Sequence, residues 1–87
     1  MPRYWLSFDL GLRGNYEGLY QWLDNLKARE CGDSAATFVS DISPDEMKKQ
    51  LSKIAGPSGR AYLVFTVRKF GKTEGVRGKF ILGRRKA

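Results

Sequence analysis

Residues 3–10, Arg-Tyr-Trp-Leu-Ser-Phe-Asp-Leu, decide the fold because their side chains alternate in character along the chain. Such alternation is typical of a β-strand with one buried face. The core-facing positions are Tyr4, Leu6, Phe8 and Leu10. The sequence therefore predicts a first strand whose opposite face carries Trp5, Ser7 and Asp9.

Two helices and a second strand are predicted after this first strand. Apolar residues recur at helical spacing over residues 16–29, which predicts a first helix that ends at Cys31-Gly32. Residues 34–40 form a short second strand. The sequence Ser43-Pro44-Asp45-Glu46 then matches a capping box, so a second helix is expected to begin there and to end at Gly56-Pro57.

Two further strands complete the prediction. Residues 60–69 are apolar on both faces in their middle, and residues 76–85 return as a fourth strand after a loop over residues 70–75. Alternation in the fourth strand places Val76, Phe80 and Leu82 on one face and Arg77, Lys79, Ile81 and Arg85 on the other.

The order strand-helix-strand-helix-strand-strand predicts an α/β two-layer sandwich of the ferredoxin-like kind. We expect a mixed four-stranded sheet with both helices on one face. The first two strands would be parallel neighbours joined by a right-handed crossover, and the last two an antiparallel hairpin. A chain of 87 residues is expected to form a single domain, residues 1–87.

Composition excludes several classes of protein. The chain has no histidine and one cysteine, which excludes Ser-His-Asp and Cys-His catalysis, cysteine-rich zinc sites and an internal disulfide. No apolar run approaches the roughly 20 residues of a membrane-spanning helix. Since no apolar signal segment follows Met1, the expected location is cytoplasmic.

Positive charge is concentrated in the last third of the chain. Sixteen Lys and Arg against nine Asp and Glu give a net charge of +7, and residues 57–87 hold nine of the basic residues but one acidic residue, Glu74. This asymmetry predicts a nucleic-acid partner, with RNA favoured over DNA, or an acidic protein partner, while a solubilising edge stays open as an interpretation. The candidate nucleic-acid-binding residues are Lys69, Lys72, Arg77, Lys79, Arg84 and Arg85.

Asp9 is the candidate catalytic and metal-binding residue. It lies near the end of the first strand, where a carboxylate can hold Mg²⁺ together with waters, especially if a dimer doubles the site. The metal would activate water for attack on a phosphodiester bond, and Ser7 on the same face would position that water. A second interpretation is that Asp9 caps the glycine loop over residues 11–14 or pairs with Arg13.

Several segments resemble a known family. The strand Tyr4-Trp5-Leu6-Ser7-Phe8-Asp9, the following loop and helix with Tyr16, and the stretch 34–40 that leads to the capped helix carry the resemblance. On these residues the chain resembles the ferredoxin-like small nucleases of CRISPR adaptation complexes and the related antitoxin endoribonucleases that cleave toxin messenger RNA. The resemblance implies a homodimer with facing sheets and Asp9 as the metal-site residue near the two-fold axis.

Two functions follow as hypotheses. The first is a small nucleic-acid-binding protein that uses its basic C-terminal hairpin and that, if it is an enzyme, is a Mg²⁺-dependent endoribonuclease or endonuclease. The alternative is a non-enzymatic interaction module, antitoxin-like or regulatory, whose basic hairpin docks on an acidic partner or adds a strand to the partner's sheet.

Overall fold

The computed structural model describes residues 2–12, 14–55, 59–69 and 72–83, without the side chains of residues 68, 69, 73, 74 and 79–81. These residues form a two-layer α+β structure with a single antiparallel sheet, in the strand order β2-β3-β1-β4-β5. The elements are β1 (Arg3–Asp9), α1 (Tyr16–Asn25), β2 (Arg29–Gly32), β3 (Ala35–Val39), α2 (Pro44–Ala55), β4 (Arg60–Lys69) and β5 (Lys72–Leu82). Neither α1 nor α2 has the length and apolar character that crossing a membrane requires.

The hydrophobic core lies between the helices and one face of the sheet. The central strand β1 buries Tyr4, Leu6 and Phe8, as its alternation predicts. They form one cluster with residues from both helices and from strands β3 and β4, which include Leu19, Leu23, Met47, Leu51, Phe38 and Leu63. Because both helices contribute to the same cluster, they cover the same face of the sheet.

Tyr4 fixes the start of α2 against the sheet. Its ring stacks on Phe38 with the centroids 5.5 Å apart, and its hydroxyl donates a hydrogen bond to the backbone oxygen of Ile42 at 2.7 Å. Burial, and to a lesser extent the negative charge of Asp41, raises the pKa of Tyr4 above its usual value. The hydroxyl therefore keeps its proton, and this hydrogen bond, to higher pH than an exposed tyrosine would.

The sequence-based prediction of the sheet was wrong in strand number and in strand direction. The sheet has a fifth strand, β2, and each of its four pairings is antiparallel, so it is not mixed. The two strands predicted to be parallel neighbours correspond to β1 and β3, which run antiparallel. The crossover through α1 leads to β2, which was not predicted and which runs parallel to β1 without pairing with it. β3 then turns back from β2 as a hairpin and pairs between β2 and β1, so it runs antiparallel to both.

The first helix ends earlier than predicted, at Asn25 instead of residue 29. Its end has two hydrogen bonds, from the Lys27 N–H to the Asp24 oxygen at 2.9 Å and from the Ala28 N–H to the Leu23 oxygen at 3.0 Å. This is a Schellman motif, which satisfies free carbonyl groups at a helix end. Lys27 takes the left-handed conformation (φ 55°) that the motif requires, so the expected glycine signal is missing.

Strand β2 was missed because it lacks a hydrophobic pattern. All four of its residues are exposed, and its backbone pairing with β3 has a register shift at Cys31. The segment Cys31-Gly32, interpreted from the sequence as a helix stop, therefore belongs to an irregular edge strand. Edge strands make one ladder of hydrogen bonds and need not bury side chains, so periodicity does not reveal them.

Strand β4 has the predicted bounds, whereas β5 begins at Lys72 instead of residue 76. Two register shifts interrupt the β4–β5 ladder, between Ala61 and Tyr62 and between Val67 and Arg68. The first shift places Leu82 with the core, while Val76 is 59% exposed. The predicted common face of Val76, Phe80 and Leu82 is therefore wrong, because a bulge reverses the alternation of side chains.

The capped start of α2 is confirmed. Pro44 is the first helical residue, and the hydroxyl of Ser43 accepts a hydrogen bond from the Glu46 N–H at 3.2 Å. This bond satisfies one of the backbone donors that an α-helix leaves free at its N-terminus.

Replacing Ser43 with alanine removes that acceptor. We expect Ser43→Ala to lower the free energy of unfolding by about 1 kcal/mol, measured by urea denaturation. Ser52→Ala is the matched control in the same helix, since the exposed Ser52 hydroxyl donates only to the Lys48 oxygen one turn earlier. That change should be neutral or slightly stabilising. Equal effects of the two substitutions would contradict the capping role of Ser43.

Candidate nucleic-acid interface

The sheet face turned away from the core, here called the open face, is formed by alternate residues of the strands. The register places these residues together: Arg3, Trp5, Ser7 and Asp9 on β1, Ala35, Thr37 and Val39 on β3, Arg60, Tyr62, Val64 and Thr66 on β4, and Val76 on β5. Within the described ranges, neither helix covers this face, because both pack into the core on the other side.

The middle of the open face is apolar and aromatic. Trp5 lies opposite Val64, and Ser7 lies opposite Tyr62, so the two aromatic residues are diagonal neighbours on adjacent strands. Both are half-buried. Val39 and Val76, with 41% and 59% of their surface exposed, continue this apolar strip toward the two edges of the sheet.

Gly78 provides the space in which Tyr62 lies. A Cβ atom at Gly78 would lie 2.6 Å from Cζ and 2.9 Å from Cε1 of Tyr62, and still closer to its hydroxyl oxygen. The Tyr62 ring therefore lies across the backbone of β5 where a side chain would otherwise stand. The structure shows close approach by an aromatic side chain.

Arginine side chains surround the aromatic residues. Arg3 donates a hydrogen bond from Nη1 to the Thr37 hydroxyl at 3.1 Å, and Arg29 of β2 lies opposite the same Thr37. Arg60 lies opposite Asp9 at the other end of β1. All three arginines are exposed, and Asp9 is the acidic residue among the described side chains of this face. The open face is therefore positively charged.

Asp9 and Ser7 lie together in a shallow depression of about 150 Å³, which Arg60 and Tyr62 also line. Their position on one face agrees with the sequence prediction. The Oδ1 atom of Asp9 accepts a hydrogen bond from the Gly11 N–H at 2.9 Å, and Gly11 has a φ of 76°. Asp9 thus caps the glycine loop, which was the second interpretation of this residue. Its other predicted partner, Arg13, lies outside the described residues.

The depression holds one carboxylate, Asp9, beside two hydrogen-bond donors, Arg60 and the Ser7 hydroxyl. In the part of the chain that the structure describes, no group of three or more Asp, Glu, Cys or His side chains could hold a metal ion. A magnesium ion at Asp9 would need waters or carboxylates from another molecule for most of its ligands. Arg60 and the Ser7 hydroxyl, by contrast, are donors that suit a phosphate group.

The predicted basic hairpin can be assessed at two of its residues, Lys72 and Arg77, which are both exposed. Arg77 lies opposite Phe65, which packs against the core, so Arg77 belongs to the helix side of the sheet and not to the open face. The structure therefore does not bring Arg77 together with Asp9 and Ser7. The side chains of Lys69 and Lys79 and the whole of Arg84 and Arg85 lie outside the described part of the structure.

Arg3, Arg29 and Arg60 were missed by sequence reasoning, which looked for cations only in the last hairpin. Alternation could have found Arg3, because it precedes Trp5 by two residues in the same strand. The position of Arg29 depends on the unrecognised strand β2, and that of Arg60 depends on the antiparallel register of β1 and β4. Sequence patterns do not reveal either of these pairings.

The edge of the molecule formed by α1, β2 and β3 has a different character. A cavity of about 340 Å³ lies there, lined among others by Tyr20, Asp24, Arg29, Glu30 and Asp33. The three carboxylates of Asp24, Glu30 and Asp33 make this cavity unfavourable for a polyanion.

Replacing Gly78 with alanine tests the close approach of Tyr62. We expect Gly78→Ala to lower the free energy of unfolding by about 1 kcal/mol relative to Gly75→Ala, because the new methyl group displaces the ring. Gly75→Ala in the same strand is the control, since no described atom beyond the adjacent residues lies within 4 Å of its Cβ position. In a Tyr62→Ala background the cost of Gly78→Ala should largely disappear; an unchanged cost would contradict the close approach.

Comparisons with known proteins give no match to this chain among protein-family models, curated proteins or solved structures. The functional interpretation therefore depends on the residues of the chain itself and on their geometry.

Proposed function

We propose that this protein binds nucleic acid, RNA in preference to DNA, along the edge of the sheet formed by β4 and β5. The observation that carries the proposal is the placement of charge: residues 57–87 hold nine basic residues and one acidic residue, and residues 60–69 and 72–82 pair as one hairpin at the edge. Exposed cations are present on both sides of this edge, Arg60 on the open face and Arg77 on the helix side. A phosphate backbone is the partner that such a distribution fits.

The order of the elements supports a ferredoxin-like assignment. The series β1-α1-β2-β3-α2-β4 with β1 between β3 and β4 follows the split β-α-β pattern of that fold, and β5 is added outside β4. The hairpin β2–β3 between the helices is also an element of the resembled nuclease family. This topology is compatible with RNA as the partner, although a fold by itself does not assign an activity.

Electrophoretic mobility shift with single- and double-stranded RNA and DNA, with and without Mg²⁺, at several salt concentrations, tests the proposal. The wild-type protein should show log affinity that falls linearly with log salt. The double variant Lys72→Ala/Arg77→Ala should bind more weakly. On a single strand, its salt slope should be lower by about 0.7 for each phosphate that the variant no longer neutralises.

Lys48→Ala/Lys49→Ala is the matched control, because it removes the same charge from the exposed surface of α2. Equal weakening by both double variants would mean that net charge, and not the hairpin, governs binding. Absence of binding to every nucleic acid, together with weakly salt-dependent binding of a protein partner by strand addition, would favour the interaction-module alternative.

Cleavage of a phosphodiester bond at Asp9 stays a prediction, and Asp9→Asn tests it. The Oδ1 atom of asparagine can still accept the Gly11 N–H, so the loop should be retained. We expect Mg²⁺-dependent cleavage of labelled RNA to be abolished in this variant, with RNA binding unchanged or stronger because a negative charge is removed. Asp33→Asn, at an exposed turn residue, is the control. Cleavage that survives Asp9→Asn would end the nuclease hypothesis.

A further inference from the structure

We propose that the open face is a stacking platform for single-stranded RNA, in which unpaired bases lie on Trp5 and Tyr62 and phosphates contact Arg3 and Arg60. This inference rests on the proposed function and deepens it, because it names the form of RNA that is bound and the surface that reads it. It also assigns the open face to RNA in place of the second copy of the chain that the family resemblance implies.

The first support is the position of the Tyr62 ring. The hydroxyl end of the ring reaches over the Gly78 backbone, so the side chain extends along the open face toward β5. An aromatic side chain that extends along an open sheet face provides a surface on which a base can stack. Gly78 is the residue type that permits this position, since any larger side chain would occupy the same space.

The second support is the arrangement of Trp5. It lies on the central strand, opposite Thr37 on one side and Val64 on the other, and it is half-buried between them. Diagonal neighbours on adjacent strands are about 7–8 Å apart, close enough for successive bases of one strand to use Trp5 and Tyr62. Aromatic residues on adjacent strands of an open sheet are a general means of binding splayed bases.

The third support is the charge around the aromatic residues, which also decides between RNA and a second copy of the chain. Arg3 and Arg60 share the open face with one described carboxylate, Asp9, which lies opposite Arg60 and whose Oδ1 already accepts the Gly11 N–H. Two copies that met through this face would bring two positively charged surfaces together. A polyanion instead gains from every one of these arginines.

The form of the surface favours a single strand over a duplex. Stacking requires bases whose flat faces are accessible, and in a double helix those faces are covered by neighbouring base pairs. Single-stranded RNA can place its bases on Trp5 and Tyr62 while its phosphates reach the surrounding arginines. Ser7 and Asp9 lie beside this path, in the depression shared with Arg60 and Tyr62.

Tryptophan fluorescence provides a direct test. The chain has two tryptophans. Trp22 can be replaced by phenylalanine, which retains its edge-on packing with Phe38 and removes the hydrogen bond to Gln50. In this Trp22→Phe protein, addition of a short oligouridylate should quench the emission of Trp5. The same oligonucleotide annealed to its complement should quench it much less.

Affinity measurements on the same probes locate the platform. Trp5→Leu and Tyr62→Leu should each weaken binding of the oligouridylate by at least about fivefold, since one base can no longer stack. Tyr62→Phe should retain most of the affinity. Tyr20→Leu is the control, because Tyr20 is 47% exposed but lies on α1 and contacts Phe8 and Tyr16. Lys72→Ala/Arg77→Ala should weaken binding of single and double strands alike.

The outcomes separate this inference from the proposed function. Binding of the oligouridylate without quenching of Trp5, or with unchanged affinity in Trp5→Leu and Tyr62→Leu, would overturn the platform and leave nucleic-acid binding in place. A preference for the duplex would do the same. A dimer in solution that becomes a monomer in Trp5→Leu would show that a second copy covers the face. Failure to bind any nucleic acid would instead overturn the proposed function.

Discussion

The pairing of β1 on both of its edges is the constraint on which the rest of the structure depends. Its residues are held opposite β3 on one side and β4 on the other, so their alternation sets the two faces of the whole sheet. Tyr4, Leu6 and Phe8 supply the face on which both helices pack. A shift of one residue in either pairing would exchange the buried and open sets, and the large cost of burying Asp9 or exposing Phe8 prevents it.

Elements with a strong local pattern were predicted correctly, and elements held by long-range pairing were not. The alternation of β1, the bounds of β4 and the cap of α2 at Ser43 each follow from short-range side-chain chemistry. Strand β2 has four exposed residues and no such pattern, and its omission led to the wrong direction for the neighbour of β1. The early end of α1 was hidden because Lys27, and not glycine, takes the left-handed conformation.

The candidate site shows the same division. Composition predicted a positively charged surface, and alternation placed Ser7 and Asp9 on one face. Arg60 and Tyr62 of β4 lie opposite Asp9 and Ser7. Their position depends on the antiparallel register of β1 and β4, which the sequence does not reveal. Among the described residues, cations also lie outside the hairpin, at Arg3 on β1 and at Arg29 on β2.

The two register shifts in β5 have a consequence for self-association. β5 is the long outer strand, and such strands invite an added strand from another chain, which can propagate into fibrils. The shifts leave only the stretch from Gly75 to Phe80 with a regular ladder to β4. Bulges bend and twist a strand, so they limit the part of this edge that an added strand could pair with to the six residues from Gly75 to Phe80.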